Sequence, residues 1–310
     1  MTFGLQSDEA AATAVLDRAG DDGITFIDTA DVYPLGGGLE LVGTTEKIVG
    51  RWLKGKRDQF VLATKAFGRT GNQPWDVGNS RRHLMDAVDA SLRRLGTDFI
   101  DLYQLHQYDT ETPIDETLEA MNDMVRSGKV RYIGCSNFPA WRLARALGRS
   151  EALGIARFES AQPRYNLLFR DIEKDLLPLC LEEGIAVIPY NPIAGGMLSG
   201  KHDFSKPPAP GTRFTIPNAG NMYQERYWHK RVFDAVTGFV AVAADAGLKP
   251  ATLAVAWMLA QPAVTAPIIG ASRADQLDDT LKAADVRLTA EVMAKIDEQM
   301  REFQPAEPVR

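Results

Sequence analysis

Four side chains able to hold or move a proton stand at the ends of apolar runs. Asp28 and Tyr33 follow Ile24-Thr25-Phe26-Ile27, Lys65 follows Phe60-Val61-Leu62-Ala63-Thr64, and His106 closes Ile100-Asp101-Leu102-Tyr103-Gln104-Leu105. A phenol, with a pKa of about 10, gives up its proton reluctantly at neutral pH. An ammonium group beside it favours the phenolate. A carboxylate beside the ammonium keeps the amine charged and oriented. An imidazole on the far side can hydrogen-bond a carbonyl oxygen. Together the four groups could protonate an alkoxide as it forms. Taken singly, Asp28 reads as a turn cap, Lys65 as a surface charge and His106 as a satisfied buried histidine. Taken together at strand exits, they read as a site.

The elements that must position them follow from the same pattern. Short apolar, β-branched runs read as buried strands. Helical spacing separates them: Ser7 as N-cap of a helix to Gly20, then helices over 40–53, 79–95 and 113–128, and one opened by Pro139. Strands are expected at 24–28, 60–64, 100–105, 130–135, 158–161, 185–190 and 264–269. Between the later strands come helices at 172–183, 225–246 and 250–261, and after the last strand 274–284 and one capped by Thr289. A proline-rich loop fills 194–221, and the tail from 304 to 310 should be frayed. Strands alternating with helices indicate parallel βαβ units. Seven strands plus a stub at residues 1–4 fit an α/β (β/α)8 TIM barrel of one domain over 1–310. An open doubly wound sheet is the alternative. It normally carries a glycine fingerprint after its first strand, and none follows residue 4 or residue 28.

Bulk properties narrow the function. The 310 residues can bury a large core, and a net charge of −6 argues against a nucleic-acid surface. Cys135 and Cys180 form no CxxC pair or disulfide framework, which suits a reducing cytoplasm. No apolar run approaches the ~18 residues of a membrane span, so no membrane partner is expected. His83, His106, His202 and His229 lack metal-ligand spacing, so no metal is expected.

The stretch Phe26-Ile27-Asp28-Thr29-Ala30-Asp31-Val32-Tyr33 resembles the DTA-x-x-Y signature of the aldo-keto reductases, and Lys65 and His106 match that family's other two catalytic positions. The resemblance covers nearly the whole chain. It implies a (β/α)8 barrel that reduces small aldehydes or ketones with NADP(H), or with NAD(H) in second place. Tyr33 would be the acid, Lys65 and Asp28 would tune it, and His106 would orient the carbonyl.

The resemblance also implies a cofactor set. Gly134-Cys135-Ser136-Asn137-Phe138 is similar to the family's G-x-S-N-F turn. Ser136, Asn137 and Gln162 would hold the nicotinamide carboxamide, and Tyr190 would stack on the ring, followed by Asn191, Pro192 and Ile193. Gly195 to Lys201 satisfies G-x-x-x-x-G-K, but His202 stands where a phosphate loop needs Ser or Thr, and no helix follows. That excludes an ATPase. In the family this loop lies over the pyrophosphate, with Lys201 and Arg213 as phosphate partners. Gly270, Ser272, Arg273 and Gln276 resemble the site for the adenosine 2′-phosphate. Asp279 and Thr280 stand where the family usually has Glu-Asn against the adenine.

Two other functions fit parts of the pattern. A Schiff-base lyase would use Lys65 as nucleophile, but Asp28 favours the charged amine. The chain also resembles the potassium-channel β-subunit branch of the family, which makes a cofactor-binding regulatory subunit the alternative. Trp75, Tyr108, Met197 and Tyr223 are candidate pocket walls, and the sequence sets neither substrate nor oligomeric state. Relatives carry a stretch ahead of the residue matching Met1, so the first strand is expected to be truncated here and the barrel weakened.

Overall fold

The computed structural model describes residues 1–305; the tail expected from 304 lies, from 306 on, outside the described residues. The chain forms two compact units. The first comprises 1–162, 182–185 and 270–274; of the described residues the second comprises 163–181, 186–269 and 275–305.

In the first unit, strands β1 (Phe26–Asp28), β2 (Val61–Ala66), β3 (Ile100–Leu105), β4 (Val130–Ser136) and β5 (Phe158–Gln162) lie side by side in chain order, all parallel. Helices α1 (Glu9–Asp21), α2 (Thr44–Leu53), α3 (Arg81–Leu95), α4 (Ile114–Arg126) and α5 (Ala140–Leu153) alternate with them. A doubly wound sheet reverses its strand order at a switch point. This sequential order has none, so the doubly wound alternative fails here.

Residues 1–4 form no strand. Phe3 makes only an isolated bridge to Ser7. Ser7 is not the cap of α1: Asp8 Oδ1 accepts from Ala11 N at 2.8 Å, and Ser7 Oγ instead donates to the Ser272 carbonyl at 3.0 Å. Asp and Ser are about equally good caps, and the neighbour that reached the free N–H won. Ser80 caps α3, its Oγ accepting from His83 N.

Helices α2 and α3 approach closely at Gly50. A Cβ there would stand 2.6 Å from the carbonyl oxygens of Arg94 and Leu95. Glycine is required at that crossing by space, at the usual cost in helix propensity.

The second unit carries α7 (Gly220–Tyr227), α8 (Lys230–Asp245), α9 (Pro250–Leu259), α10 (Leu277–Leu281) and α11 (Ala290–Gln299), and most of α6 (Leu176–Glu183). Its strand β6 is only Ala186–Val187, not 185–190, and 264–269 is no strand. Val187 bridges Val264 and Tyr190 bridges Ile268. Pro189 and Pro267 lack the N–H that a continuous ladder needs, so the pairing breaks into isolated bridges. The helix expected over 225–246 is two helices, α7 and α8, parted at Trp228 and His229. The first of them begins inside the expected loop, at Gly220. Pro250 sits at the first turn of α9, where a missing N–H costs nothing.

No single helix among the described residues is long and apolar enough to cross a membrane; α8 and α9 pass that test only as a pair bent by 89°.

Candidate active site

The first unit brings Asp28, Tyr33, Lys65 and His106 together. Asp28 pairs in register with Ala63, and Lys65 lies two residues further along β2, on the same face. The side chains therefore meet: Lys65 Nζ lies 2.5 Å from Asp28 Oδ2 and donates to the Thr29 carbonyl at 2.7 Å. Lys65 is 1% exposed and the Asp28 side chain 7%. A buried ammonium needs such acceptors, because an unpaired charge is costly away from water.

Tyr33 is buried, and its ring centroid lies 5.6 Å from Lys65 Nζ and 5.7 Å from the His106 ring, edge to face. The chain is pinned on both sides of it. Tyr33 N donates to the Ala30 carbonyl, and the Tyr33 carbonyl accepts from Thr45 N at the start of α2. His106 follows β3 directly, with its N–H donated to Ala66 at 2.9 Å and its carbonyl taken by Asn137 Nδ2 at 3.0 Å. Burial, and then the Lys65 ammonium, push its imidazole down to about 3. At neutral pH the ring is uncharged, with one nitrogen donating and one accepting.

Asp28 has further partners. Gln162 Nε2 donates to Asp28 Oδ1 at 2.9 Å, and Gln104 Nε2 donates to the same oxygen at 3.2 Å. The Gln162 carbonyl accepts from Ser136 Oγ at 2.7 Å and from Asn137 N at 3.3 Å. Asn137 takes a left-handed turn, φ 58°, and its amide also reaches Ser136 Oγ. The turn Ser136-Asn137 is thus fastened to the tetrad through Gln162 and His106. Gln104 escaped the sequence reading. Its signal was a buried amide in the middle of an apolar strand, two residues before His106.

Asp31 was likewise overlooked. It is 0% exposed, and among the described residues its carboxyl oxygens find no side-chain partner, only the Val32 backbone N–H. Burial first, then Glu46, hold its carboxyl well above the usual range. Glu46 itself is paired with Arg94 at 2.6 Å and accepts from Thr64 Oγ1 at 2.6 Å.

Of the expected 2′-phosphate residues, Gly270, Ser272 and Arg273 lie in the first unit, where the Ser272 carbonyl is held by Ser7. Trp75 stacks with Arg82, and Tyr108 packs against Phe138 and Arg142.

The remaining expected cofactor residues lie in the second unit. Tyr190 leads into Asn191, which is left-handed at φ 67°; its side chain accepts from Gly195 N at 2.6 Å and donates to Tyr227 Oη at 3.0 Å. Asn166 fixes the same turn through the Asn191 carbonyl and Tyr227 Oη, a role the sequence did not disclose. Pro192 is buried and Ile193 half-buried beside it. Gly195 and Gly196 have φ of 69° and 101°, a left-handed pair that glycine adopts without strain; Gly195 is half-buried and Gly196 buried. Lys201 is exposed, and Arg213 carries a buried Nη1 with no hydrogen-bond partner among the described residues. An orphaned guanidinium donor and a lysine have the chemistry to hold an anion such as a diphosphate. Met197 and Tyr223 are buried. Gln276 is exposed at a short turn. Thr280 spends its hydroxyl on the Leu277 carbonyl, and the Asp279 carbonyl accepts from Thr252.

Parallel βα units in sequential order, with four proton-handling groups at or just past strand exits, define a protein of the α/β barrel class with a site built for proton transfer. The aldo/keto reductase family model matches residues 1–301, and the chain belongs to that family. It is 38% identical to the uncharacterized oxidoreductase YrpG of Bacillus subtilis, over 96% of this chain and 89% of that one. It is 35% identical to a probable voltage-gated potassium channel subunit beta of Arabidopsis thaliana, over 99% and 92%. It is 34% identical to versiconal hemiacetal acetate reductase of Aspergillus parasiticus, over 94% and 87%.

Proposed function

We propose that the chain is one barrel domain that reduces small aldehydes or ketones to alcohols with NADPH, using Tyr33 as general acid. The observation that carries this reading is Lys65 Nζ, held between the Asp28 carboxylate and the Thr29 carbonyl with the Tyr33 ring 5.6 Å away. A charged lysine locked beside a phenol is what protonation of a nascent alkoxide needs. Neutral His106 donates an N–H to the substrate oxygen and fixes the carbonyl towards Tyr33. As hydride reaches the carbonyl carbon, negative charge grows on that oxygen and Tyr33 delivers its proton there. Lys65 stabilises the phenolate left behind. The bound nicotinamide cofactor supplies the hydride.

Ser136, Asn137 and Gln162 bind the carboxamide in this reading. Tyr190, at the turn into Asn191, Pro192 and Ile193, stacks on the ring. Lys201 and Arg213, with the backbone at Gly195, bind phosphate. Ser272 and Arg273 hold the 2′-phosphate beside Gly270. The cytoplasm is the proposed compartment. The ion pair to Asp28 disfavours a Schiff-base role for Lys65, which requires the neutral amine.

Tyr33→Phe tests the reading. Turnover should fall by at least two orders of magnitude, the usual worth of a general acid. Cofactor affinity, read by fluorescence quenching, should stay near the parent's, because the proton is needed only in the transition state. Near-parental turnover removes Tyr33 from the mechanism. The similarity to the Arabidopsis thaliana channel subunit favours a second reading, a cofactor-binding regulatory subunit. Steady NADPH consumption with an aldehyde, without any partner protein, decides for the enzyme.

A further inference from the structure

We infer that Gln104 is a positioning residue for the Asp28–Lys65 pair. This rests on the tetrad reading above. Asp28 offers Lys65 one carboxylate oxygen, Oδ2, at 2.5 Å. The other, Oδ1, accepts from two side-chain amides, Gln104 and Gln162. A carboxylate is free to rotate about its last bond. Two donors on Oδ1 fix that rotation and leave Oδ2 aimed at the ammonium.

Of the two amides, Gln104 is the better anchor. It is 0% exposed, and it is the register partner of Lys65 on the neighbouring strand. The same register places it beside Gly134 on β4, where a Cβ would stand 2.2 Å from Ser160 Oγ. Gln104 is thus held by two strands. Its Oε1 lies 3.5 Å from Gln162 Nε2, a long contact that also steadies the second amide. Gln162 has other work, because its own carbonyl carries the Ser136-Asn137 turn. A buried amide in an apolar strand is retained only where its polar atoms are satisfied, and Asp28 and Gln162 satisfy both ends of this one.

Losing Gln104 leaves Asp28 with one amide donor and a looser grip on Lys65. Gln162, the proposed carboxamide partner, touches Gln104 only through the long 3.5 Å contact and keeps its own bonds to Asp28 and Ser136, whereas proton delivery by Tyr33 depends directly on the Asp28–Lys65 geometry. The loss therefore falls on kcat and on its pH dependence rather than on cofactor affinity.

Three variants are compared in the full chain: Gln104→Met, similar in shape without the amide; Gln104→Glu, close to isosteric; and Tyr33→Phe as control. Each is read by kcat and KM from pH 5 to 10, NADPH affinity by fluorescence quenching, and melting temperature. A hydrogen bond to a charged group is worth about tenfold or more. Gln104→Met should lower kcat by about tenfold and displace the alkaline limb of its pH profile, with NADPH affinity within about threefold of the parent. Gln104→Glu places a second carboxylate against Asp28. It should lose more at pH 8 and recover as the pH falls, when one shared proton restores a donor to Oδ1. That recovery keeps the test decisive if Gln104→Met fails to fold.

Parental kcat and pH profile in Gln104→Met overturn the inference. So does a pH-independent loss in Gln104→Glu that tracks its melting temperature, which is what a purely structural amide would give. Abolished turnover in Tyr33→Phe beside either result confines the failure to Gln104. Near-parental turnover in Tyr33→Phe overturns the tetrad reading and this inference together.

Discussion

At the residue scale, burial decides more than residue type. Lys65 and Asp31 are both charged groups taken out of water, and their fates differ because their partners differ. Lys65 has a carboxylate and a carbonyl. Asp31 has no side-chain partner among the described residues, only the Val32 backbone N–H, with Glu46 nearby. Its folded pKa lies above its unfolded value. Any stability it lends is therefore full below the unfolded value of 3.8 and lost as the pH rises. Asp31→Asn removes that penalty while keeping shape. It should raise the melting temperature at pH 8 and change it little at pH 4; roughly 2–4 °C corresponds to 1 kcal/mol for domains of 150–250 residues. A lower melting temperature at pH 8 would show that the carboxylate is needed.

Cofactor choice also belongs to single residues. Arg273, with Ser272, is the proposed 2′-phosphate partner. A charge-assisted contact of about 1.5–3 kcal/mol gives a tenfold or larger preference for NADPH over NADH. Arg273→Ala should weaken NADPH by that factor and leave NADH almost unchanged. Equal affinities for the two cofactors in the parent chain would contradict the assignment.

At the element scale, α2 and α3 sit as closely as the glycine at their crossing allows. Gly50 lies inside α2, where alanine would gain about 1 kcal/mol in helix propensity. Space opposes it: the added Cβ would meet the Arg94 and Leu95 carbonyls at 2.6 Å, and those belong to the end of a helix rather than to a flexible side chain. Overpacking of this kind costs about 1–3 kcal/mol, so the steric term wins. Gly50→Ala should lower the melting temperature and shift α2 outward. Because α2 also carries Glu46, the partner of Arg94, the shift should be visible as faster hydrogen exchange at the α3 C-terminus. A stabilised variant would mean that the two helices have room to part.

At the scale of the whole molecule, two partly buried histidines draw stability down in acid. His106 is pushed down to about 3 and His202 to about 4, in both cases first by burial and then by a neighbouring lysine. A histidine with a depressed folded pKa favours folding above its unfolded value and loses that contribution as the pH falls towards the folded value. Between pH 6.5 and about 4 the chain should lose stability steadily, each group contributing up to about 1.4 kcal/mol per pH unit. His106 keeps an edge open to solvent and His202 is only half-buried, so both shares fall short of that limit, His202's the further. Melting curves of the parent and of His106→Gln across this window check it. The variant's curve should be the flatter one, and parallel curves would mean that His106 does not titrate on unfolding.

Much of this was legible in the chain. Apolar runs ending in Asp28, Lys65 and His106 gave strands because β-branched and apolar residues in short stretches have few other places to go. Their chemistry was readable because it resides in residue type. The sequential strand order eliminated the doubly wound alternative, but only pairing could show it. The later strands were misread at 185–190 and 264–269, because apolar content is visible in sequence and hydrogen-bond pairing is not. Proline broke the pairing there while leaving the hydrophobicity intact. Ser7 and Asp8 are equally plausible caps on paper, and the proximity of Ser272, 265 positions away, took Ser7 for another task. Gln104 and Asp31 followed the same rule. A sequence fixes which groups a residue carries, but not which distant atoms reach them. Whether a buried amide finds Asp28, or a buried carboxyl is left without a side-chain partner, is settled only when strands 37 to 134 positions apart bring their side chains to one face.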